Sequence, residues 1–124
     1  MTQTKQTEFG SLAEKYASGF LRTRNYSILA NNYSKPWGEI DIIAEKDEVL
    51  VFVEVKANSK DIPGFEPELR VNRNKIKKII RAARTYLADK RYGPDQEWQI
   101  DIISIIIDNQ RKVAKIKHFK NIEV

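Results

Sequence analysis

The chain has 124 residues, a net charge of +5 and no cysteine. This length predicts a single domain over residues 1–124, with a core around a sheet of about four or five strands and a flexible N-terminal tail at 1–8. The composition excludes disulfides and zinc–thiolate sites, and no run reaches the ~20 apolar residues of a membrane span, so we expect a cytoplasmic protein with no membrane partner.

The hydrophobic pattern predicts seven elements in the order α-β-β-β-α-β-β. A helix from Glu8 to Arg24 precedes a first strand at Tyr26–Ala30. Two buried strands follow, because their apolar residues are almost continuous. A basic helix that Gly93-Pro94 ends comes next, and then two strands at Trp98–Ile107 and Val113–Phe119. This order predicts an α/β domain with a mixed central β-sheet flanked by helices.

The two buried strands carry charge in an apolar setting. Asp41 lies in Gly38–Ala44, and both Glu54 and Lys56 lie in Leu50–Lys56. Burying an unpaired carboxylate is costly, so these acids need partners or a metal ion. The polar residues 45–48 predict a hairpin that makes the strands antiparallel neighbours and brings Asp41 close to Glu54. Alternation along a strand places Glu54 and Lys56 on one face.

Two carboxylates and a lysine in one place suggest a metal site. Carboxylate oxygens suit Mg²⁺ or Mn²⁺, which keep positions open for water and a phosphate. Lys56 would then orient the attacking water or stabilise charge that develops on the phosphate. The same three residues also fit an ordinary ion pair at a solvated sheet edge, since structural ion pairs often imitate functional ones.

The segment from Arg70 to Tyr92 contains nine basic residues and one acidic residue, a net charge of +8. Ile76, Ile79 and Ala83 recur at helical spacing, so the segment predicts an amphipathic helix with a basic outer surface. Such a surface is often only solvated, but beside a candidate phosphodiesterase site it fits contacts with nucleic-acid phosphates better. The residues predicted to make these contacts are Arg73, Lys75, Lys77, Lys78, Arg81 and Arg84.

The segments at 38–44 (GEIDIIA) and 51–56 (VFVEVK) closely resemble the signature of the YraN-like family of small bacterial proteins. That family is similar to the PD-(D/E)XK, or restriction-endonuclease-like, nucleases, near the Holliday-junction resolvases. The resemblance implies a restriction-endonuclease-like core, with Asp41 and Glu54 as metal-binding acids, Lys56 as the catalytic lysine, and Val55 lending its backbone carbonyl to the metal. The segment AEKYA at 13–17 resembles the family's Gly-Glu-x-x-Ala segment, which implies that Glu14 is a helical acid facing the site.

The resemblance therefore implies a nuclease that needs Mg²⁺ or Mn²⁺ and hydrolyses phosphodiester bonds in DNA, in particular branched or structured DNA. RNA stays open as a substrate. The resemblance is also compatible with a homodimer, because junction-resolving nucleases cut two strands. Two other interpretations stay open. One is a non-catalytic nucleic-acid-binding module that retains the fold. The other is a protein whose acids bind a structural cation and whose basic helix contacts an acidic protein. His118 and Asp101 are assigned no catalytic role.

Overall fold

A computed structural model describes residues 5–59, 72–108, 110 and 112–123 of the chain. Its helices and strands are α1 (Lys5–Thr23), β1 (Ser27–Lys35), β2 (Gly38–Lys46), β3 (Val49–Ser59), α2 (Arg73–Asp89), β4 (Trp98–Ile107) and β5 (Val113–Phe119). The predicted order of elements is confirmed, and the bounds of β4 and β5 agree with the prediction. The chain therefore has the mixed α/β fold that its hydrophobic pattern indicates.

α1 and β1 differ from their predicted bounds, and β2 and β3 also extend beyond the predicted segments, to Lys46 and over Val49–Ser59. α1 begins at Lys5 instead of Glu8 and so includes part of the segment predicted as a tail, because the added residues contain no helix breaker. β1 continues to Lys35, beyond the predicted end at Ala30, because it pairs with β2 along its length. Cross-strand pairing here outweighs the low strand propensity of the two asparagines that follow Ala30.

The sheet has the order β1-β2-β3-β4-β5. β3 and β4 are parallel, and the other three pairs are antiparallel. The predicted hairpin between β2 and β3 is confirmed, with Lys46 paired to Val49 across a two-residue turn. Both turn residues, Asp47 and Glu48, have positive φ angles, 53° and 67°. This is the backbone that a tight type I′ hairpin requires, here formed without glycine.

Each face of the sheet is covered by one helix. Val51 and Val53 of β3 pack in the layer that contains α1, whereas Leu50 and Phe52 pack in the layer that contains α2. The inner strands are therefore apolar on both faces, and a charged residue within them needs a specific partner. Neither of the described helices is long and apolar enough to cross a membrane.

α2 comes very close to the start of β2 at Gly38. A β-carbon at this position would lie 2.5 Å from the backbone oxygen of Lys78, which is shorter than any ordinary van der Waals contact. The preceding turn is held on the same helix, because the Trp37 indole Nε1 donates to the Thr85 hydroxyl at 3.2 Å. The missing side chain at Gly38 therefore lets the β1–β2 hairpin lie against the middle of α2.

Asp101, which is fully buried, fastens the C-terminal residues to the sheet. Its carboxylate accepts hydrogen bonds from the Asn121 backbone N–H at 2.8 Å and from Gln99 Nε2 at 2.9 Å. The His118 ring nitrogen Nε2 lies 2.7 Å from its other oxygen. A buried carboxylate with three partners is satisfied within the fold and needs no ligand.

We expect Gly38→Ala to lower the free energy of unfolding by about 1–3 kcal/mol, because β2 or α2 must shift to admit the methyl group. Urea unfolding followed by circular dichroism measures the change. Gly19→Ala in α1 is the matched control, since a β-carbon there meets nothing within 4 Å and alanine is the better helix former. Equal stability of the two variants would contradict the close contact between α2 and β2.

Candidate functional site

β2 and β3 pair over only part of their length, and the place where they separate is the candidate site. The last paired residues are Ile42 and Val53, although β2 begins at Gly38 and β3 continues to Ser59. Beyond that pair, β2 stays paired with β1 and β3 with β4. Asp41 and Glu54 are the first residues after the separation. We call the place that is formed by Asp41, Glu54, Val55 and Lys56 the fork.

The carboxylate of Asp41 supplies a contact that the separated strands no longer make. Its Oδ2 accepts a hydrogen bond from the Val55 backbone N–H at 2.8 Å, so that donor has a partner inside the sheet. Burial raises the pKa of the Asp41 carboxyl to about 6, the Val55 hydrogen bond opposes the rise, and the charge of Glu54 adds to it. The ionised form of Asp41 is therefore costly unless a cation is near.

Glu54 is more deeply buried than Asp41, with only 6 % of its side chain exposed, and it has a cation beside it. The Lys75 Nζ lies 2.8 Å from Glu54 Oε1, while the Lys75 side chain is 56 % exposed. The hydrogen bond to Glu54 raises the pKa of Lys75. A residue predicted for the nucleic-acid-binding surface thus reaches from solvent to an acid of the fork.

Lys56 lies on the same face of β3 as Glu54, because side chains alternate along a strand. That face is covered by α2, since Phe52 on the same alternation packs in the α2 layer. Lys56 is half-buried, and its backbone is in register with Ser104 of β4. The structure therefore brings two acids and two lysines to one end of the inner strands.

Glu14 approaches the fork from α1. Burial and the charge of Asp41 raise the pKa of the Glu14 carboxyl to about 7, and a hydrogen bond from Asn32 opposes the rise. Its Oε1 atom is buried and has no hydrogen-bond partner in the described part of the chain. Buried carboxylate oxygens are normally satisfied, so this atom marks a place for a proton or a cation.

The carboxylates of the fork fit a divalent cation as an open pair. No three His, Cys, Asp or Glu side chains among the described residues come close enough to enclose one ion. Asp41 and Glu54 are the residues that could hold Mg²⁺ or Mn²⁺, with the Val55 carbonyl next to Glu54 in sequence and Glu14 close to Asp41. Few protein ligands leave positions for water and for a substrate phosphate, which is the usual arrangement for Mg²⁺.

A cleft of about 790 Å³ lies between the β1–β2 turn and the first half of α2, and Lys75 is part of its lining. Its cationic lining residues are Lys35, Lys75, Lys77, Lys78 and Arg81, and its acidic lining residue is Glu39. We call this the basic cleft. Asn72 caps α2 and accepts a hydrogen bond from the Lys75 backbone N–H at 3.2 Å, so the helix start positions Lys75. A surface with this balance of charge attracts anions.

Four of the six residues predicted to contact nucleic acid line the basic cleft. Of the other two, Arg73 is exposed in the first turn of α2, and Arg84 lies beside Arg81 on the outer surface of the helix. Arg70, which contributed to the predicted basic segment, lies outside the described residues. The Arg81 guanidinium also covers the Trp37 ring, 5.1 Å from its centroid.

Sequence reasoning missed two residues near the site. Lys35 joins the basic cleft because β1 is longer than predicted, and Asn32 contacts Glu14 for the same reason. No alternation of apolar residues signals this extension, because Asn31 and Asn32 follow Ala30 and interrupt the pattern before Tyr33. Asp101 and His118 lie elsewhere. Asp101 is in register with Val53, whose side chain packs in the α1 layer, so Asp101 and its partner His118 lie on the opposite face of the sheet from Glu54.

Comparison with known proteins shows which chains are similar to this one. The family model described as "Uncharacterised protein family UPF0102" matches residues 13–105. A UPF0102 protein of Campylobacter fetus is 44% identical over 114 residues, covering 92% of this chain and 95% of the relative. One of Campylobacter hominis is 39% identical over 114 residues, with the same coverage of 92% and 95%. One of Fervidobacterium nodosum is 40% identical over 115 residues, covering 90% and 78%. The matches confirm the YraN-like resemblance at the level of the family, and none of these names states an activity.

We expect Asp41→Asn to change how stability depends on pH. Burial raises the pKa of Asp41 from 3.8 to about 6, so between these values the folded protein keeps a proton that the unfolded chain has released. Stability from this group is therefore present at low pH and is lost as pH rises through that window. Asparagine cannot ionise, so Asp41→Asn should gain stability relative to wild type as the pH rises.

Urea unfolding in EDTA at about pH 4 and about pH 8 measures this difference. Asp95→Asn, at an exposed position before β4, is the control and should follow the wild-type curve. Parallel wild-type and Asp41→Asn curves would show that Asp41 carries no burial cost in the folded state.

Proposed function

Because the chain belongs to the uncharacterised protein family UPF0102, we propose its function from the fork and the basic cleft: it is a metal-dependent endonuclease that acts on DNA. The observation that carries the proposal is the pair of acids, half-buried Asp41 and buried Glu54, where two inner strands separate, with Lys56 on the same face of β3 as Glu54. The proposal includes the restriction-endonuclease-like core that the sequence resemblance implies.

Asp41 and Glu54 are the residues that would hold Mg²⁺ or Mn²⁺, with the Val55 carbonyl as a further oxygen donor, and Glu14 would have to move towards them to join as a third carboxylate. A bound divalent ion supplies Lewis-acid polarisation of a phosphate oxygen and lowers the pKa of a coordinated water. The raised pKa values of Asp41, about 6, and of Glu14, about 7, support this role. A positive charge beside these carboxyls would lower their pKa values and favour the ionised forms that bind a metal.

We assign Lys56 to the reacting phosphate. Its position two residues after Glu54 on the same face puts its ammonium on the side of the fork that faces α2. From there it would donate hydrogen bonds to a phosphate oxygen as negative charge develops, or orient the attacking water. Donors that are fixed before the reaction begins are effective because they need no reorganisation during it.

The basic cleft supports nucleic acid as the substrate. Its cations line one continuous surface with Lys75, which contacts Glu54 of the fork. The first turn of α2 carries no acidic residue, so basic side chains stand at the positive end of the helix dipole. This arrangement disfavours the isolated helix but favours a bound phosphate. We name DNA, in particular branched or structured DNA, as the substrate, and the cytoplasmic location and the homodimer stay predictions.

A non-catalytic nucleic-acid-binding module is the second candidate. The Lys75–Glu54 ion pair favours it, because this pair neutralises one acid of the fork without any metal. In such a module the basic cleft would bind phosphates, and Asp41 would serve only to satisfy the Val55 N–H. The two candidates differ in whether the fork needs a divalent cation to act.

We expect Glu54→Gln and Lys56→Met each to lower the rate of metal-dependent cleavage by at least ~100-fold, because each removes a charge from the reacting centre. The assay uses labelled four-way junction, flap, single-stranded and duplex DNA and a structured RNA, each with Mg²⁺, Mn²⁺ or EDTA. Lys117→Met, at an exposed position in β5, is the matched lysine control and should cleave at the wild-type rate.

Cleavage that persists in EDTA or in Glu54→Gln would contradict the proposed chemistry. Tight binding with no cleavage in any metal would favour the binding module instead. Preferential cleavage of the structured RNA would show that the substrate is RNA, and preferential cleavage of one DNA shape would identify the substrate class.

We expect Lys78→Ala and Arg81→Ala to weaken DNA binding and each to reduce the slope of log affinity against log salt by ~1, because each removes one phosphate contact. Fluorescence anisotropy of a labelled oligonucleotide in EDTA, over a range of salt, measures the slope. Lys117→Ala is the control and should leave the slope unchanged. A wild-type slope near zero would exclude the basic cleft as a phosphate-binding surface.

A further inference from the structure

The ion pair between Lys75 and Glu54 occupies one carboxylate oxygen of an acid that a divalent cation at the fork would also bind. The ammonium lies 2.8 Å from Glu54 Oε1, and this acid is 6 % exposed. The charge of Asp41 also acts on Lys75, so the ammonium is near both acids of the fork. In the absence of metal, Lys75 is therefore a positive charge that compensates the acids of the fork.

From this geometry we propose that Lys75 is a positioning residue that a divalent cation displaces: the cation replaces the ammonium at Glu54, and the freed lysine binds a substrate phosphate in the basic cleft. This inference rests on the proposed function, since it assumes a metal at the fork. It adds a role in regulation, because metal occupancy then controls the phosphate affinity of the cleft.

Displacement follows from the charges. A divalent cation bound to Glu54 would lie within a few ångströms of the ammonium, where like charges repel strongly in a site of low dielectric constant. The backbone of Lys75 does not need to move, because the Asn72 side chain caps the helix start and accepts from the Lys75 N–H. The side chain is 56 % exposed, so it can rotate away without breaking the packed layer between α2 and the sheet.

The basic cleft is where the released ammonium would go. Lys75 already belongs to its lining, together with Asn72, Lys77 and Lys78. While Lys75 is bound to Glu54 its charge is neutralised, and after release it adds one cation to that surface. Because linkage is reciprocal, a phosphate that captures Lys75 must also raise the affinity of the fork for metal.

The first test measures metal binding without any reaction. Metal-free protein at about pH 8, where carboxyl groups are ionised, is titrated with Mn²⁺, and free Mn²⁺ is followed by electron paramagnetic resonance. We expect Lys75→Met to bind Mn²⁺ on the order of ten-fold more tightly than wild type, because the competing cation is gone. Lys75→Arg keeps the charge and should bind no more tightly than wild type.

Lys78→Met is the matched control, since Lys78 lines the same cleft but has no ion pair with Glu54. This variant corrects for the loss of one positive charge from the surface. We expect its Mn²⁺ affinity to stay within about two-fold of the wild-type value. Circular dichroism melting curves establish that each variant is folded. If Lys75→Met does not fold, Lys75→Arg provides a second variant at the same position.

The second test measures the release of Lys75. Binding of a labelled DNA oligonucleotide is compared in EDTA and in Ca²⁺, a hard cation with oxygen ligands. In EDTA Lys75 is neutralised by Glu54, so Lys75→Met should lose little affinity. In Ca²⁺ the Lys75→Met variant should lose DNA affinity several-fold, because a freed lysine contributes a phosphate contact in the wild type. Lys78→Met should weaken DNA binding by the same factor in EDTA and in Ca²⁺.

The outcomes separate this inference from the proposed function. If Glu54→Gln weakens Mn²⁺ binding but Lys75→Met binds like wild type and Lys78→Met, displacement is wrong and the metal site stands. If the loss of DNA affinity in Lys75→Met is equal in EDTA and Ca²⁺, the release into the cleft is wrong. If no variant shows Mn²⁺ binding that depends on Glu54, the metal-dependent function itself is wrong, and this inference with it.

Discussion

Two carboxylates at the point where β2 leaves β3 set the conditions that the rest of the site must meet. Strand separation removes backbone partners in the middle of a sheet that is apolar on both faces, and polar side chains must then replace them. Asp41 does so for the Val55 N–H, and Lys75 neutralises Glu54. α2 must therefore begin close to β3, and this requirement ties the position of the basic helix to the chemistry of the sheet.

The two helices have separate tasks in this arrangement. α1 covers one face of the sheet and brings Glu14, whose Oε1 is buried and has no hydrogen-bond partner among the described residues, towards Asp41. α2 covers the other face and provides both the ammonium at Glu54 and most of the cations of the basic cleft. Stability comes mainly from the apolar layers, whereas the acids of the fork and the basic cleft lie at one end of the inner strands. A change at the fork can therefore alter function while the two apolar layers remain intact.

Much of this arrangement was predictable from the sequence, and the residues show why the rest was not. Asp41 and Glu54 stood out because charge inside an apolar strand is costly, and the residues 45–48 indicated the hairpin that aligns them. β1 was predicted too short because asparagines rarely favour strands, while pairing with β2 depends on contacts distant in sequence. The Lys75–Glu54 pair depends on the distance between a helix start and a strand, which no local pattern contains.

The close approach at Gly38 also determines how precisely the basic cleft is placed relative to the fork. The backbone of β2 and the carbonyl of Lys78 are held together because no methyl group lies between them. That contact fixes one wall of the basic cleft relative to its other wall, and both relative to Asp41, three residues along β2. The cleft therefore has a set width, and under the proposed function a phosphate bound in it would lie at a fixed distance from the fork. One absent side chain thus sets the spacing between the basic cleft and the acids of the fork.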